Sequence, residues 1–300
     1  MPDWLYNFPE TIKLNIREPI DEFISYINVN WEGFFDAVTK GLRGMLKGVN
    51  WFIGIIPWWV LVLAVFILTW ITTKKPLRAV LYSLLLIFIG SMGLWSYMEQ
   101  TLAIVITSVI LSLVIGFPLG ILVASGKKAD AIIRPVLDTM QTMPSFVYLI
   151  PAVMLLGLGN VPAVIATTIY AIPPIIRLTS HGIKQVDAEV VEAAHAFGST
   201  RWQTLIKVQI PQAMPTIMTG VNQTIMMALA MVVTCSMIGA TGLGSEVIIG
   251  INRLEIGRGF AAGISVVIMA VILDRLTQGI YKPKGGDLVA EQSRGFIKGK

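Results

Sequence analysis

The sequence predicts an all-α membrane protein with about seven transmembrane helices. Of its 300 residues, 55% are hydrophobic and only 14% are charged, and the mean hydropathy is +0.73. A soluble domain carries about 25% charged residues, so this deficit indicates a surface that faces lipid. The apolar residues also form runs of about the 20 residues that a membrane helix requires. The predicted spans are 51–73, 79–97, 101–125, 136–158, 161–178, 213–239 and 260–281.

Prolines interrupt two of these spans. Pro144 and Pro151 fall in the fourth span, and Pro162, Pro173 and Pro174 fall in the fifth. A membrane helix tolerates proline when neighbouring helices satisfy the carbonyl groups that it frees. The pattern therefore favours a packed bundle over separate spans.

Basic residues predict the orientation of the bundle. The links 74–78, 126–135 and 177–211 and the tail after residue 281 hold most of the Lys and Arg residues. Basic residues concentrate on the cytoplasmic side, so the N-terminus is expected outside, and the C-terminus inside with a basic cytoplasmic tail at 282–300. One group opposes this rule, because Lys40, Arg43 and Lys47 lie just before the first span on the side predicted to be outside.

The first 50 residues are expected to form an extracytoplasmic segment with an amphipathic helix that lies on the membrane or against the bundle. Residues 51–100 then supply two peripheral transmembrane helices. One face of the amphipathic helix carries Asp36 and the three basic residues. The other face is apolar and consists of Phe34, Phe35, Val38, Leu42, Met45, Leu46 and Val49.

The cytoplasmic link between the fifth and sixth spans predicts a pair of helices. Asp187 is placed to cap the first helix, and Gly198 to end it. Thr200 and Gln203 have the spacing of a capping box for the second helix, which Pro211 is expected to close. Both helices have apolar faces, which could dock into a partner or pack back on the bundle. Periodicity alone does not decide between these alternatives.

This link resembles the EAA loop of permease subunits from binding-protein-dependent ABC importers. Glu192-Ala193-Ala194 is followed after three residues by Gly198, and after nine more by Val208-Gln209-Ile210-Pro211. The family pattern has Ile and Leu at the places of Val208 and Ile210, which are conservative departures. The resemblance implies a type I ABC importer-like five-helix core over 101–281, with a coupling loop at 187–211 that docks on the ATPase. The implied coupling residues are Glu192, Ala193, Ala194, Gly198, Thr200 and Pro211.

The long N-terminal segment and the stretch 142–148 resemble the glycine betaine/proline branch of this family. That resemblance implies an ATP-driven importer of glycine betaine, proline or related quaternary ammonium osmoprotectants. The implied partners are two ATPase subunits, a second copy of the chain, an extracytoplasmic substrate-binding protein and membrane lipid. The alternatives are an ABC permease for another small solute, such as an amino acid, and a secondary transporter.

Neither enzyme activity nor a cofactor is expected in this chain. A phosphate-binding loop needs G-x-x-x-x-G-K-[ST], and the nearest approach, Gly120 to Lys128, has the wrong spacing and ends in Lys. ATP-Mg is therefore expected on the partner subunit. His181 and His195 lack the spacing of metal ligands, and no metal site is predicted. The net charge of +5 does not indicate nucleic-acid binding, because the basic residues lie between apolar runs.

Polar groups in the sixth span predict a role in translocation. Asn222, Gln223, Met226 and Thr234 would be unfavourable or unusual against lipid, so they are expected to line the path; bonding to neighbouring helices is the alternative. Gly116 and Gly120 have the G-x-x-x-G spacing of a close helix contact. Asp138 and Asp274 are interpreted as anchors near helix ends.

Overall fold

A computed structural model of the chain describes residue 15 and residues 17–280, and the predicted tail at 282–300 lies outside the described residues. The described part is helical. Its helices are α1 (Arg17–Asn30), α2 (Glu32–Ile55), α3 (Trp58–Thr73), α4 (Pro76–Ser91), α5 (Trp95–Ser125), α6 (Lys127–Thr142), α7 (Ser145–Leu156), α8 (Asn160–Lys184), α9 (Ala188–Ala196), α10 (Arg201–Thr204), α11 (Ile210–Cys235), α12 (Leu243–Asn252) and α13 (Ile256–Ile280).

Helix α8 forms the centre of the bundle and packs between α5 and α11. The close helix contact predicted at Gly116 and Gly120 is confirmed, and it lies between α5 and α8. A Cβ on Gly116 would lie 2.4 Å from Ile175 Cγ2, and a Cβ on Gly120 would lie 2.6 Å from Thr179 Cβ. Glycine therefore allows the two backbones to approach closely, which is how membrane helices gain packing energy.

Hydroxyl groups also join α5 to α8, in the turns of α5 that precede Gly116. Ser108 Oγ donates to the carbonyl of Val164 at 3.3 Å, and Ser112 Oγ donates to the carbonyl of Thr168 at 3.1 Å. All four residues are buried, so these bonds satisfy polar groups that lipid could not.

Four helices of the described part are long and apolar enough to cross a membrane: α5, α8, α11 with the helical turns around it, and α13. Two bent pairs, α2 with α3 and α6 with α7, raise the number to six if each counts as one span. The expected count of seven is not confirmed, because α4 has only 16 residues. At 1.5 Å per residue it measures about 24 Å, less than the hydrocarbon thickness of about 30 Å.

Two of the predicted spans are wrong as continuous helices. The first, 51–73, breaks between Ile55 and Trp58 with a bend of 89°. The fourth, 136–158, breaks at Met143 and Pro144 with a bend of 100°. Each break has the same cause: a proline forces the preceding residue into extended backbone, with ψ of 114° at Ile56 and 133° at Met143.

The second predicted span, 79–97, also has a wrong end. Helix α4 ends at Ser91, and Gly93 turns the chain with a φ of +73° that suits glycine. Trp95 then begins α5 rather than ending the second span.

The predicted amphipathic helix is confirmed as α2, which runs on to Ile55 and lies across the direction of α3. Its Leu42 and Leu46 pack against the main core. Helix α1 precedes it and contacts α7, where Asn28 Nδ2 donates to the carbonyl of Met154 at 3.0 Å. Together α1 and α2 pass around one end of the bundle.

The loops at that end are tied to each other. The side-chain oxygen of Asn160 accepts from the backbone N–H of Thr241 at 2.8 Å. Thr101 Oγ1 accepts from the backbone N–H of Leu243 at 2.8 Å, which fixes the start of α12 to α5. This end of the bundle is opposite the α9–α10 link, which follows the far end of α8.

Candidate coupling surface and membrane interior

The α9–α10 link is held in shape by its own caps, as the sequence predicts. Asp187 Oδ1 accepts from the backbone N–H of Glu189 at 2.9 Å at the start of α9. Thr200 and Gln203 form a reciprocal capping box: Thr200 Oγ1 accepts from the N–H of Gln203 at 3.3 Å, and Gln203 Oε1 accepts from the N–H of Thr200 at 2.9 Å. Both caps satisfy backbone donors that a helix start leaves unpaired.

The turn between the two helices depends on Gly198 and Ser199. Gly198 has a φ of +82°, in the left-handed region where an L side chain is strained. Ser199 Oγ donates to the carbonyl of Ala194 at 2.5 Å and lies 2.8 Å from Thr204 Oγ1. The small residues of the loop therefore fix the angle between α9 and α10.

The apolar faces of the link are divided between the bundle and the surface. Leu205 is buried, and Val191 and Ala194 are half-buried, so part of each face packs inward. Phe197 is 92% exposed and Trp202 is 70% exposed. The capped turn therefore carries two large aromatic side chains as apolar surface that the described residues do not cover.

The remaining predicted coupling residues lie on the same link. Glu192 and Ala193 are exposed on α9. Glu192 also lines a cavity of about 330 Å³ with Ser125, Lys184 and Gln209, where α5 and α8 end. The link thus sits directly beneath the central helices of the bundle.

The prediction that Pro211 closes the second helix is wrong. The helix runs on from Arg201 to Ile238, and Pro211 lies in the first turn of α11. A π-helical segment, Leu205–Gln209, precedes it, and the N–H of Ile210 bonds to the carbonyl of Leu205. The wider π turn accommodates the proline ring, so α10 is joined continuously to the α11 span.

Ion pairs fix α6 to the base of α8, which the sequence did not reveal. Lys184 Nζ lies 3.0 Å from Asp130 Oδ2. Two helical turns further along α6, Arg177 donates to Asp138, so Asp138 pairs with α8 instead of acting only as an anchor at a helix end. The sequence did contain a signal for these pairs. The two aspartates are eight residues apart in α6 and the two basic residues are seven apart in α8, and both spacings correspond to about two helical turns.

The four predicted path residues do not lie on one face of α11. Asn222 faces α13: its Nδ2 donates to Asp274 Oδ1 at 2.8 Å, and its Oδ1 accepts from Thr277 Oγ1 at 2.6 Å. Asp274 also accepts from Gln278 at 2.6 Å. Asp274 is therefore part of a polar cluster between α11 and α13, a role that the sequence interpretation missed.

Gln223 and Met226 lie on a different side of α11, where both are exposed. Thr234 is half-buried, and its hydroxyl donates to the carbonyl of Ala230 within the same helix. The exposed stripe continues at helical spacing along the whole of α11. Its exposed members in α11 are Gln212, Pro215, Thr219, Gln223, Met226 and Ala230, and Met237 follows in the short helical turn after α11.

Comparison with known proteins identifies the bundle. A sequence profile described as "Binding-protein-dependent transport system inner membrane component" matches residues 116–282, more than half of the chain. A solved structure of the MetNI methionine ABC transporter in an inward-facing conformation has a similar fold, with a TM-score of 0.54. It is 22% identical and covers 61% of this chain and 94% of its own.

Three curated relatives match across most of the chain. The glycine betaine/carnitine transport permease protein GbuB of Listeria monocytogenes is 47% identical, covering 88% of this chain and 94% of its own. The glycine betaine transport system permease protein OpuAB of Bacillus subtilis is 46% identical, covering 91% and 96%. The glycine betaine/proline betaine transport system permease protein ProW of Escherichia coli is 44% identical, covering 93% and 82%. The chain therefore belongs to the family of binding-protein-dependent transport system inner membrane components.

Proposed function

We propose that this chain is the membrane-spanning subunit of an ATP-driven importer of glycine betaine, proline betaine or proline, or a related quaternary ammonium solute. The relatives' substrates support the solute class. The chain itself is not an enzyme in this proposal. ATP and Mg²⁺ bind to a separate ATPase subunit, and an extracytoplasmic binding protein delivers the solute.

The observation that carries the proposal is the α9–α10 link. Its exposed aromatic pair, Phe197 and Trp202, gives an ATPase subunit an apolar contact, and Glu192 and Ala193 lie exposed on the same link. The link continues through the π segment into α11, so a displacement of the link is passed to a helix of the core. Movement of the ATPase would then change which side of the membrane the core is open to.

The proposed orientation places α9 and α10 in the cytoplasm and the N-terminus outside. The basic turn after α3, at Lys74 and Lys75, and the basic start of α6, at Lys127 and Lys128, then fall on the cytoplasmic side with the link. Residues 1–50 form the extracytoplasmic segment, 51–100 the peripheral helices and 101–281 the core. The basic tail, 282–300, is cytoplasmic.

The complex is proposed to contain two copies of this chain and two ATPase subunits. The exposed stripe of α11 supports this arrangement, because Thr219 and Gln223 are polar and ill suited to lipid. Two such stripes facing each other would enclose a path lined by Gln223, Met226 and their neighbours. A solute without net charge needs no fixed charge along that path.

Reconstituted vesicles test the function. The chain and its ATPase are reconstituted into vesicles that contain ATP, and the binding protein is supplied to them. Uptake of labelled glycine betaine is then measured. The proposal predicts uptake that requires ATP and the binding protein and that is not changed by ionophores. Uptake that follows a sodium or proton gradient without ATP would instead show a secondary transporter, and selective uptake of an unrelated amino acid would show a different cargo.

A further inference from the structure

Two of the three basic residues that oppose the positive-inside rule, Arg43 and Lys47, line a cavity at the outer end of the bundle. This cavity has a volume of about 400 Å³ and lies between α2, the first turns of α5 and the loops that precede α8 and α12. Its polar lining consists of Arg43, Lys47, Asn50, Gln100, Asn160 and Thr241. A cavity of this size falls in the range that proteins use for ligands or for inserted side chains.

The charge of this cavity is not neutralised by the described part of the chain. Two other arginines on the same side are compensated: Arg258 Nε lies 2.6 Å from Glu246 Oε2, and Arg253 lies 4.0 Å from Glu255. In contrast, no carboxylate among residues 17–280 comes within 4.0 Å of Arg43 or Lys47. The nearby Glu99 instead accepts from Trp95 Nε1 at 2.6 Å.

The placement of α2 directs this cavity toward water rather than lipid. Leu42 and Leu46 pack on the core, and Arg43 and Lys47 occupy the flank next to them. The opposite flank carries Phe34, Phe52 and Ile55, which are exposed and apolar. Because α2 lies across α3, the apolar flank faces the membrane and the basic flank faces the outer solution.

We infer that this cavity receives acidic side chains of the extracytoplasmic binding protein, with Arg43 and Lys47 as their partners. The inference rests on the proposed orientation and importer function. A binding-protein-dependent permease must contact such a partner on its outer face, and two cations without a carboxylate partner among the described residues complement an anionic element. The amides of Asn50 and Gln100 add hydrogen-bond donors for carboxylate oxygens. Arg43 and Lys47 would then be retained for docking, despite their cost to membrane orientation.

Charge reversal tests the inference in the assembled transporter. The Arg43→Glu/Lys47→Glu variant is expected to bind the purified binding protein about 10-fold or more weakly, mainly through slower association. Raising the salt concentration should weaken binding by the wild type but have a smaller effect on the variant. Lys40→Glu is the matched control, because Lys40 lies on the same flank of α2 but does not line the cavity; its affinity should stay within about twofold of the wild type.

Other results would overturn the inference. Equal affinity of the double variant and the wild type would exclude docking at this cavity while leaving ATP-driven uptake, and so the proposed function, intact. If the double variant causes the two permease copies to dissociate, the cavity belongs to a contact between copies. If the binding defect depends on the anionic lipid content, the cavity binds lipid headgroups. If the charge-reversed variant fails to fold, the milder Arg43→Gln/Lys47→Gln variant is measured in its place. If that variant also fails to assemble, the two residues are structural. Absence of uptake by the wild type would refute the proposed function itself.

Discussion

At the scale of single residues, the proposed coupling surface depends on one backbone conformation. Gly198 has a φ of +82° with open space around it, so an added methyl group would meet strain but no neighbour. The left-handed conformation costs roughly 1–2 kcal/mol for an ordinary L residue, whereas asparagine tolerates it better. A glycine at position 198 of the loop pattern is therefore favoured for a local physical reason: it sets the angle between α9 and α10.

Gly198→Ala should weaken ATPase docking and ATP-driven uptake by about 5- to 30-fold, the factor that corresponds to a strain of 1–2 kcal/mol. Gly198→Asn should restore much of the loss. Gly257→Ala is the control, because Gly257 is helical and its added methyl group also meets nothing within 4 Å. Wild-type docking by Gly198→Ala would show that the turn angle does not matter.

At the scale of helices, two kinds of contact hold the bundle together. Helix α5 meets α8 through glycines and hydroxyl groups, and α11 meets α13 through the Asn222–Asp274 cluster. The first contact was predictable from the G-x-x-x-G spacing. The second was not, since the partners are 52 residues apart and spacing within one helix says nothing about which neighbour it faces.

Gly120→Ala should lower the thermal stability of the purified protein in detergent. The new Cβ would lie 2.6 Å from Thr179 Cβ, and such overpacking costs about 1–3 kcal/mol. Gly263→Ala provides the comparison, because Gly263 lies in a spanning helix with nothing within 4 Å of its added methyl group. Equal melting temperatures for the two variants would argue against the close α5–α8 contact.

Asn222→Leu and Gln223→Leu should separate stability from transport. Asn222→Leu removes the bonds to Asp274 and Thr277, and we expect a loss of about 1–2 kcal/mol of stability. Gln223 is exposed on α11, so Gln223→Leu should keep the melting temperature and change the kinetics of uptake. Unchanged uptake by Gln223→Leu would remove that residue from the path.

At the scale of the whole molecule, the two ends of the bundle differ in chemistry. One end has the α9–α10 link with its exposed aromatic pair, and the other has the α1–α2 segment and the polar cavity beside Arg43. Helices α5, α8 and α11 connect the ends. This division suits a protein that contacts a motor on one side of the membrane and a delivery protein on the other.

The sequence predicted the caps of the link, the amphipathic α2 and the hydrophobic segments because each depends on local spacing. It did not predict which prolines break a helix. Pro57 and Pro144 end helices, whereas Pro118, Pro173 and Pro215 lie within continuous ones. The outcome depends on whether neighbouring helices and local turns satisfy the freed carbonyls, which is a property of the tertiary structure.

Accessibility of residue 197 tests the central claim most directly. Phe197→Cys places a thiol at a position that is 92% exposed, while the chain's single native cysteine, Cys235, is buried. A membrane-impermeant maleimide should label the variant in inverted vesicles but not in intact cells, and bound ATPase subunit should protect it. Labelling in intact cells, or labelling that the ATPase does not change, would contradict a cytoplasmic coupling surface at the α9–α10 link.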